Sequence, residues 1–466
     1  MNPPTTDAVA SPRPGLGLAV ICLGTIGAAL DSAVNIALPS ITAAFSVGIT
    51  DVRWVVIAYV LTYSSLLLIF GKLGDLFGYR RIFRAGLIVS AAGFAACSLA
   101  PTFPVLLAGR VLQGLGIALV LSCAPALATS LYDERERTRI LGIYAAMSAA
   151  GAALGPVAGG MLVDRFGWSA VFWARAPLAL LALLLAIALP PPRQLQASAA
   201  RFDWLGALLL VTWLSALLLG FASLATAAPI LLPIALTVGA LATFIAFLWH
   251  ESRHPEPIIR PSLFARRDFA VLNLMSIAVN FSAFSIMLIV PYYLARSRGL
   301  DAAAGGVVLA LAACGTVCGS WLAGQTAARI GIHRLSLTGI ALSLAGLVAI
   351  GAVARDADIL AFSAAMLVQG LGVGIFQVAY ADRVVATLPV SDRGVAGSLT
   401  MVTRTIGVVA GATAHAAVQR WGESAALAAG ASAPSAFLSG FEATFQVAAA
   451  VVFAAFLLAL LRPART

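Results

Sequence analysis

Apolar runs of membrane-spanning length recur along this chain, each closed by a short cluster of Arg, Asp, Pro and Gly. A helix needs roughly 20 mostly apolar residues to cross a bilayer, so the pattern defines an all-α integral membrane protein. Of the 466 residues, 61% are hydrophobic and only 10% are charged, and mean hydropathy is +0.99. No polar stretch is long enough to form a separate soluble domain.

Fourteen runs can be followed, beginning near residues 15, 53, 82, 104, 139, 168, 204, 228, 270, 302, 333, 358, 395 and 440. The N-terminal "MNPPTTDAVASPRPG" is a polar, Pro-containing tail, and the apolar run after it exceeds the h-region of a signal peptide, so the first span is read as uncleaved. Short loops after even-numbered spans carry Lys72, Arg80, Arg81, Arg84, Arg135, Arg137 and Arg139 among others. The opposite loops carry fewer, Arg53 and Arg165 among them. By the positive-inside rule the richer side is cytoplasmic. The expectation is a multi-pass plasma-membrane (inner-membrane) protein with both termini in the cytoplasm.

The formal net charge of +10 does not indicate nucleic acid, because the basic residues sit between apolar runs and form no aromatic-interleaved patch. Cys22, Cys97, Cys123, Cys314 and Cys318 all fall within spans, which suggests small apolar packers rather than disulfides or a zinc site.

An internal repeat organises the chain. "VLQGLGIA" at Val111 to Ala118 returns as "LVQGLGVG" at Leu367 to Gly374, an offset of 256. "GKLGDLFGYRR" at Gly71 to Arg81 returns, degraded, as "GQTAARIGIHR" at Gly324 to Arg334, an offset of 253. The repeat unit is six spans. The expected divisions are a tail (1–14), a first six-helix half (15–190), a linker (191–203), two inserted helices (204–249), a second linker (250–269) and a second half (270–462). Parallel six-span halves are a transporter architecture, with the binding site between them near the bilayer midplane.

"GKLGDLFGYRR" resembles the loop motif of the major facilitator superfamily. Gly71, Gly74 and Gly78 permit close helix approach and a tight turn, and Asp75 with Arg80 and Arg81 is expected to form a breakable charge network. In the second copy Ala328 replaces the acid, which leaves any such gate to the first half. "LLAGRVLQGLGIA" resembles the Arg-bearing motif of span four, matched by Arg110, Gln113, Gly114 and Gly116. "GAALGPVAGG" resembles the antiporter motif of span five: Gly151, Gly155 and Gly159 form a small-residue ridge, Pro156 bends the helix, and Gly160 closes the motif. "LDSAVNIALP" and "DWLGALLL" resemble the first span and the extra span pair of the 14-span drug:proton antiporter branch. The resemblance covers about residues 15 to 460. It implies a major-facilitator-like fold of two six-helix halves plus two inserted helices, transport rather than enzymatic chemistry, and coupling to the proton gradient with no cofactor. One departure is Arg175 in "FWARAP", where the family commonly has Asn.

Ionisable groups at depth are costly and mark function by default. Asp31, about seven residues before the expected outer end of span one, matches the depth of Arg110, about seven residues into span four. The resembling fold places both spans beside the central cavity, so a proton-coupling pair and a purely structural bridge both fit. Asn35 lies one turn beyond Asp31. Arg175, at similar depth, is open to three readings: competing for Asp31, binding an anionic substrate group, or snorkelling outward. Further cavity candidates are Asn273, Asn280, Gln369, Gln377, Tyr380 and Arg404. His415 shares a face with Arg404 and reads as interfacial, and Asp382 and Arg383 as rim residues.

"HESRH", His250 to His254, satisfies a zinc-protease pattern. Pro255 biases His254 away from helical geometry and no third ligand is evident, so no metal site is expected. The leading expectation is a proton-coupled exporter of small organic molecules, acting as a monomer in lipid with substrate and protons as its partners. A carrier of organic anions is the alternative, since deep charge is biased positive; an intramembrane zinc protease and a receptor stand further off.

Overall fold

The computed structural model describes residues 14–132, 136–187, 203–224, 231–254, 267–355, 358–387 and 393–460. The side chains of a few residues inside these ranges, Asp75 among them, fall outside the description, as do the N-terminal tail and most of both linkers. Each of the fourteen apolar runs contains helix. Among the described residues, eleven helical segments are long and apolar enough, by length and composition, to cross a membrane.

The first span is two helices, α1 (Pro14–Ala29) and α2 (Ala33–Phe45), joined by a 3₁₀ turn over Leu30–Ser32. It runs past Pro39, so Asp31 sits near the middle of the span and not seven residues from its end. Ser32 marks the turn: its hydroxyl donates to Ala29 O (3.3 Å) and, across to α6, to Ala152 O (3.0 Å), drawing the backbone off the regular ladder. There follow α3 (Ile49–Phe77), α4 (Tyr79–Ser98), α5 (Phe103–Ser130) and α6 (Arg137–Phe166). The sixth span is also broken, into α7 (Ala170–Trp173) and α8 (Ala176–Ile187), with Arg175 at the break and Pro177 in the first turn of α8.

Helices α9 (Trp204–Leu224) and α10 (Leu231–Glu251) pack on each other, with the Trp213 and Phe244 rings 4.6 Å apart. Their outer faces expose Leu208, Val238, Leu241 and Ile245. Contiguous apolar surface of this kind requires lipid or protein against it. The remaining elements are α11 (Arg267–Tyr292, continuing as a π-turn over Tyr293–Ser297), α12 (Ala302–Ile330), α13 (Ile332–Val353), α14 (Ile359–Thr387), α15 (Arg393–Ala428) and α16 (Ala433–Leu460). The last span thus begins seven residues earlier than its hydropathy implied.

The repeat seen in sequence is a repeat of contacts. A Cβ on Gly93 of α4 would lie 2.6 Å from the Gln113 backbone of α5, and one on Gly346 of α13 would lie 2.5 Å from that of Gln369 in α14. Gly86 meets Val120 as Gly339 meets Phe376, with the α4 and α13 partners 253 apart and the α5 and α14 partners 256 apart. Small residues let backbones approach closely where lipid offers no hydrophobic drive between helices. Gly346→Val is expected to destabilise the protein by about 1–3 kcal/mol through overpacking, read as a lower unfolding temperature in detergent. Gly239, whose Cβ position has nothing within 4 Å, supplies a Gly→Ala control expected to be neutral or mildly stabilising.

Among the described residues, the first six spans and the last six share a group of contacts at one end of the bundle. There Tyr292 bonds Thr42 and Leu38 O, and Arg53 donates to Thr413 O at 3.4 Å. Asp164 at the end of α6 accepts from the Ala302 and Ala303 amides at the start of α12, at 2.9 and 2.6 Å. Arg53, placed in a loop on sequence grounds, is therefore a fully buried residue of the first turn of α3.

Candidate functional site

Both helix breaks meet at Asp31. Arg110 of α5 grips its carboxylate in a fork, Nη1 to Oδ1 at 2.8 Å and Nη2 to Oδ2 at 2.9 Å, while its Nε donates to Val55 O at 2.6 Å. Arg175 donates from Nη1 to the same Oδ1 at 2.8 Å and from Nε to Val171 O at 2.7 Å. Gln113 completes the ring, donating to Asp31 Oδ1 at 3.1 Å and accepting from Arg110 at 2.8 Å. Of the three readings open for Arg175, competition for Asp31 is the one observed; snorkelling is excluded, since the side chain is 3% exposed.

Aromatic rings wall the guanidinium groups. Arg110 lies 4.3 Å from the Tyr59 ring centroid and Arg175 4.8 Å from that of Phe94, with Phe172 within 6 Å of both. Bidentate, charge-assisted bonds and cation–π contacts are strongest where water is excluded. Two cations face one anion, so the cluster carries a net charge of +1. Nη2 of Arg175 is buried with no hydrogen-bond partner. Tyr59 and Val55 carried no sequence signal for this role.

The small-residue ridge of α6 stands directly behind the 3₁₀ turn. A Cβ on Gly151 would lie 2.7 Å from Ala29 Cβ, one on Gly155 would collide with the Ser32 hydroxyl, and one on Gly159 would lie 2.8 Å from Ala33 Cα. On the adjacent face of the same helix, Gly160 abuts the Ala302 carbonyl and the Pro156 carbonyl abuts Gly306 of α12. One helix therefore touches both the acid's turn and the other half of the molecule. Asn35, one turn beyond Asp31, also reaches across, donating to Met287 Sδ at 3.4 Å.

In the second half, Tyr380 donates to Asn273 Oδ1 at 3.0 Å and bonds the Thr403 hydroxyl at 3.0 Å, and Ser276 joins Thr403 at 3.3 Å. This network ties α11, α14 and α15 together; Thr403 and Ser276 were not singled out from sequence. Asn280 donates to its own helix at Ser276 O, 2.8 Å. Gln369 is 3% exposed and packs against Gly346, so it belongs to the α13–α14 seam rather than to an open cavity. Gln377 is half-buried and Arg404 exposed. Met366 stands at the repeat position of Arg110 and is fully buried, so Arg110 has no charged counterpart at that position.

Two further expectations change, at His415 and at Cys314 and Cys318, while the gate expected of Asp75, Arg80 and Arg81 falls partly outside the described residues. His415 is fully buried in α15 against Phe281, ring centroids 4.6 Å apart, and is not interfacial. Arg80 donates to Ile187 O at the end of α8 (2.8 Å), where Arg84 also donates to Ala186 O and Ile187 O. The described role of Arg80 is thus to satisfy carbonyls at a helix C-terminus; the Asp75 side chain lies outside the description, Arg81 is exposed, Gly71 lies within α3, and Gly78 makes the turn between α3 and α4 with φ +91°. Cys314 and Cys318 are exposed and do not pack in the core as Cys22, Cys97 and Cys123 do.

A helical bundle with a repeated fold and a charged cluster buried at paired helix breaks defines a membrane transporter rather than an enzyme. The chain belongs to the Major Facilitator Superfamily, whose family model matches residues 20–412. It is 30% identical over 461 residues to the puromycin resistance protein pur8 of Streptomyces alboniger, covering 96% of this chain and 90% of that protein. It is 26% identical over 395 residues to the riboflavin transporter RibZ of Clostridioides difficile, covering 84% of this chain and 86% of the relative. Among solved structures, a bacterial homologue of the human lysosomal transporter Spinster, inward-facing and unoccupied, superposes with a TM-score of 0.70 at 17% identity, covering 98% and 99% of the two chains. Several relatives are drug-resistance or export proteins.

Proposed function

We propose that the protein is a proton-coupled exporter of small organic molecules, with fourteen spans, two six-helix halves around an inserted pair, and both termini in the cytoplasm. The observation that carries this reading is the Asp31 carboxylate held by Arg110, Arg175 and Gln113 at the point where span one breaks. Protonation of Asp31 removes the anion that two guanidinium groups share, freeing Arg175 to turn to substrate. Deprotonation restores the fork. The turn at Leu30–Ser32 leans on the α6 ridge, and α6 leans on α12, so a change at the acid is passed to the contact between halves. No cofactor is required, since the proton gradient supplies the energy, and a single chain contains the whole site.

Names of relatives supply a first panel. In a susceptible host expressing the protein, intracellular accumulation of puromycin and riboflavin is compared with and without a protonophore. The expected result is lowered accumulation of at least one compound, restored when the gradient is collapsed; accumulation that the protonophore leaves lowered counts against proton coupling. The unpartnered Nη2 of Arg175 and the +1 charge of the cluster favour anionic substrates as the second reading, tested by ranking anionic against cationic compounds at fixed membrane potential.

The latch formed by Asp164 offers a test of rocking. Asp164→Ala removes a carboxylate from two helix N-terminal amides, a loss at the lower end of about 0.5–2 kcal/mol for an exposed cap. In a background without native cysteines, Ala303→Cys is expected to alkylate faster when Asp164 is replaced; equal rates contradict the latch.

A further inference from the structure

The segment "HESRH" acquires in three dimensions what it lacks in sequence. The backbone keeps α-helical bonding to its end, with the His254 amide donating to His250 O at 3.0 Å, so Pro255 does not splay the two imidazoles. Their ring centroids are 5.4 Å apart. Facing them is Asp203, immediately before α9 and 47 residues earlier in the chain.

His250 Nε2 lies 2.7 Å from Asp203 Oδ1, and His254 Nδ1 lies 3.9 Å from Oδ2. One donor atom from each of the three residues falls within 4.8 Å of the others. Asp203 is 4% exposed, and its Oδ2 is buried without a hydrogen-bond partner, directed between the imidazoles and Glu251. Oδ1, by contrast, is engaged by the Gly206 amide at 2.8 Å. Glu251 is 2% exposed, and its carboxylate comes to the same place: a Cβ on Gly206 would collide with Asp203 Oδ2 and lie 2.5 Å from Glu251 Oε1. Glycine at this position therefore leaves room for two buried carboxylates. Arg253, next to His254 in sequence, is stacked over Trp249 at 4.1 Å.

We propose that Asp203, His250 and His254, with Glu251 beside them, bind one divalent cation of the zinc class and so clip the start of α9 to the end of α10. Two imidazoles and a carboxylate are a ligand set for that metal, with bonds of about 2.0–2.2 Å and thus donors about 3.3 Å apart in a tetrahedron. With Oδ2 as the Asp203 ligand atom, closing on the ion asks the His254–Asp203 pair to narrow by about half an ångström on that geometry. The ion would sit where both linkers leave the inserted pair. The set joins two helices at their ends, which is a structural arrangement rather than a protease centre.

The test uses the full chain in detergent, with any affinity tag removed and metal stripped by a chelator, titrated with Co²⁺ and competed with Zn²⁺. One equivalent of Co²⁺ with the visible absorption of tetrahedral coordination, displaced by Zn²⁺, is expected. His250→Gln and His254→Gln should each weaken binding by at least about 100-fold, since even outer-shell partners contribute 10–100-fold. Both imidazoles are partly exposed, so these variants should melt with the metal-free wild type, while Zn²⁺ raises the melting temperature of the wild type alone. Absence of stoichiometric binding by the wild type, or binding unchanged in His254→Gln, overturns the proposal.

Discussion

Replacing Asp31 with asparagine is expected to abolish substrate-driven proton movement and to destabilise the protein. The carboxylate is the anion shared by Arg110 and Arg175, which are 0% and 3% exposed. Removing one partner of a buried ion pair costs about 3–5 kcal/mol, because the charge left behind stays buried and uncompensated. Here two cations are left behind. Asparagine keeps the shape and one acceptor oxygen but cannot load a proton, so any surviving protein should bind substrate and fail to move protons. Arg175→Gln separates the two effects. It leaves the Arg110 fork neutral and intact, so folding and proton binding should persist while the anion preference is lost. Measuring unfolding temperature, substrate binding and proton flux on both variants checks the assignment, and wild-type coupling in Asp31→Asn contradicts it.

The second large effect is expected at Gly159. Its missing side chain lets α6 lie against α2, where a Cβ would meet Ala33 Cβ at 2.7 Å and Ala33 Cα at 2.8 Å. Valine there places two further methyls into backbone that cannot withdraw, at a cost of about 1–3 kcal/mol. Because Gly160 on the neighbouring face already abuts α12, α6 cannot relieve the clash by moving toward the other half. Gly159→Val is therefore expected to hold the halves in one arrangement and reduce transport to background while leaving the protein folded. Transport at the wild-type rate in a folded Gly159→Val protein contradicts the role given to the ridge.

The spans were legible because lipid imposes a length and a composition on each of them, and the repeat because close backbone packing constrains glycines at fixed offsets. Asp31 and Arg110 were legible for a related reason: a charge at depth requires a partner at the same depth, and few are available. What escaped the sequence were breaks and encounters. The 3₁₀ turn at Leu30–Ser32 depends on a hydroxyl bonding across to Ala152, which no local pattern announces. Arg175 could be placed in depth but not aimed, since its direction follows from the break between α7 and α8. Arg53 looked like a loop residue because its acceptor, Thr413 O, lies 360 residues away. His415 looked interfacial because burial against Phe281 follows from how α11 and α15 pack. Asp203 and His250 were both visible, yet only the antiparallel packing of α9 on α10 brings them together.

The central claim is that substrate and proton exchange through the Asp31 cluster. The most direct measurement is proton flux in proteoliposomes of the wild-type protein bearing an imposed pH gradient and no membrane potential, as a substrate panel is added. The account predicts that a transported compound dissipates the gradient at a rate that saturates with its concentration, with protons moving opposite to substrate. Saturable substrate flux with no accompanying proton movement would contradict it.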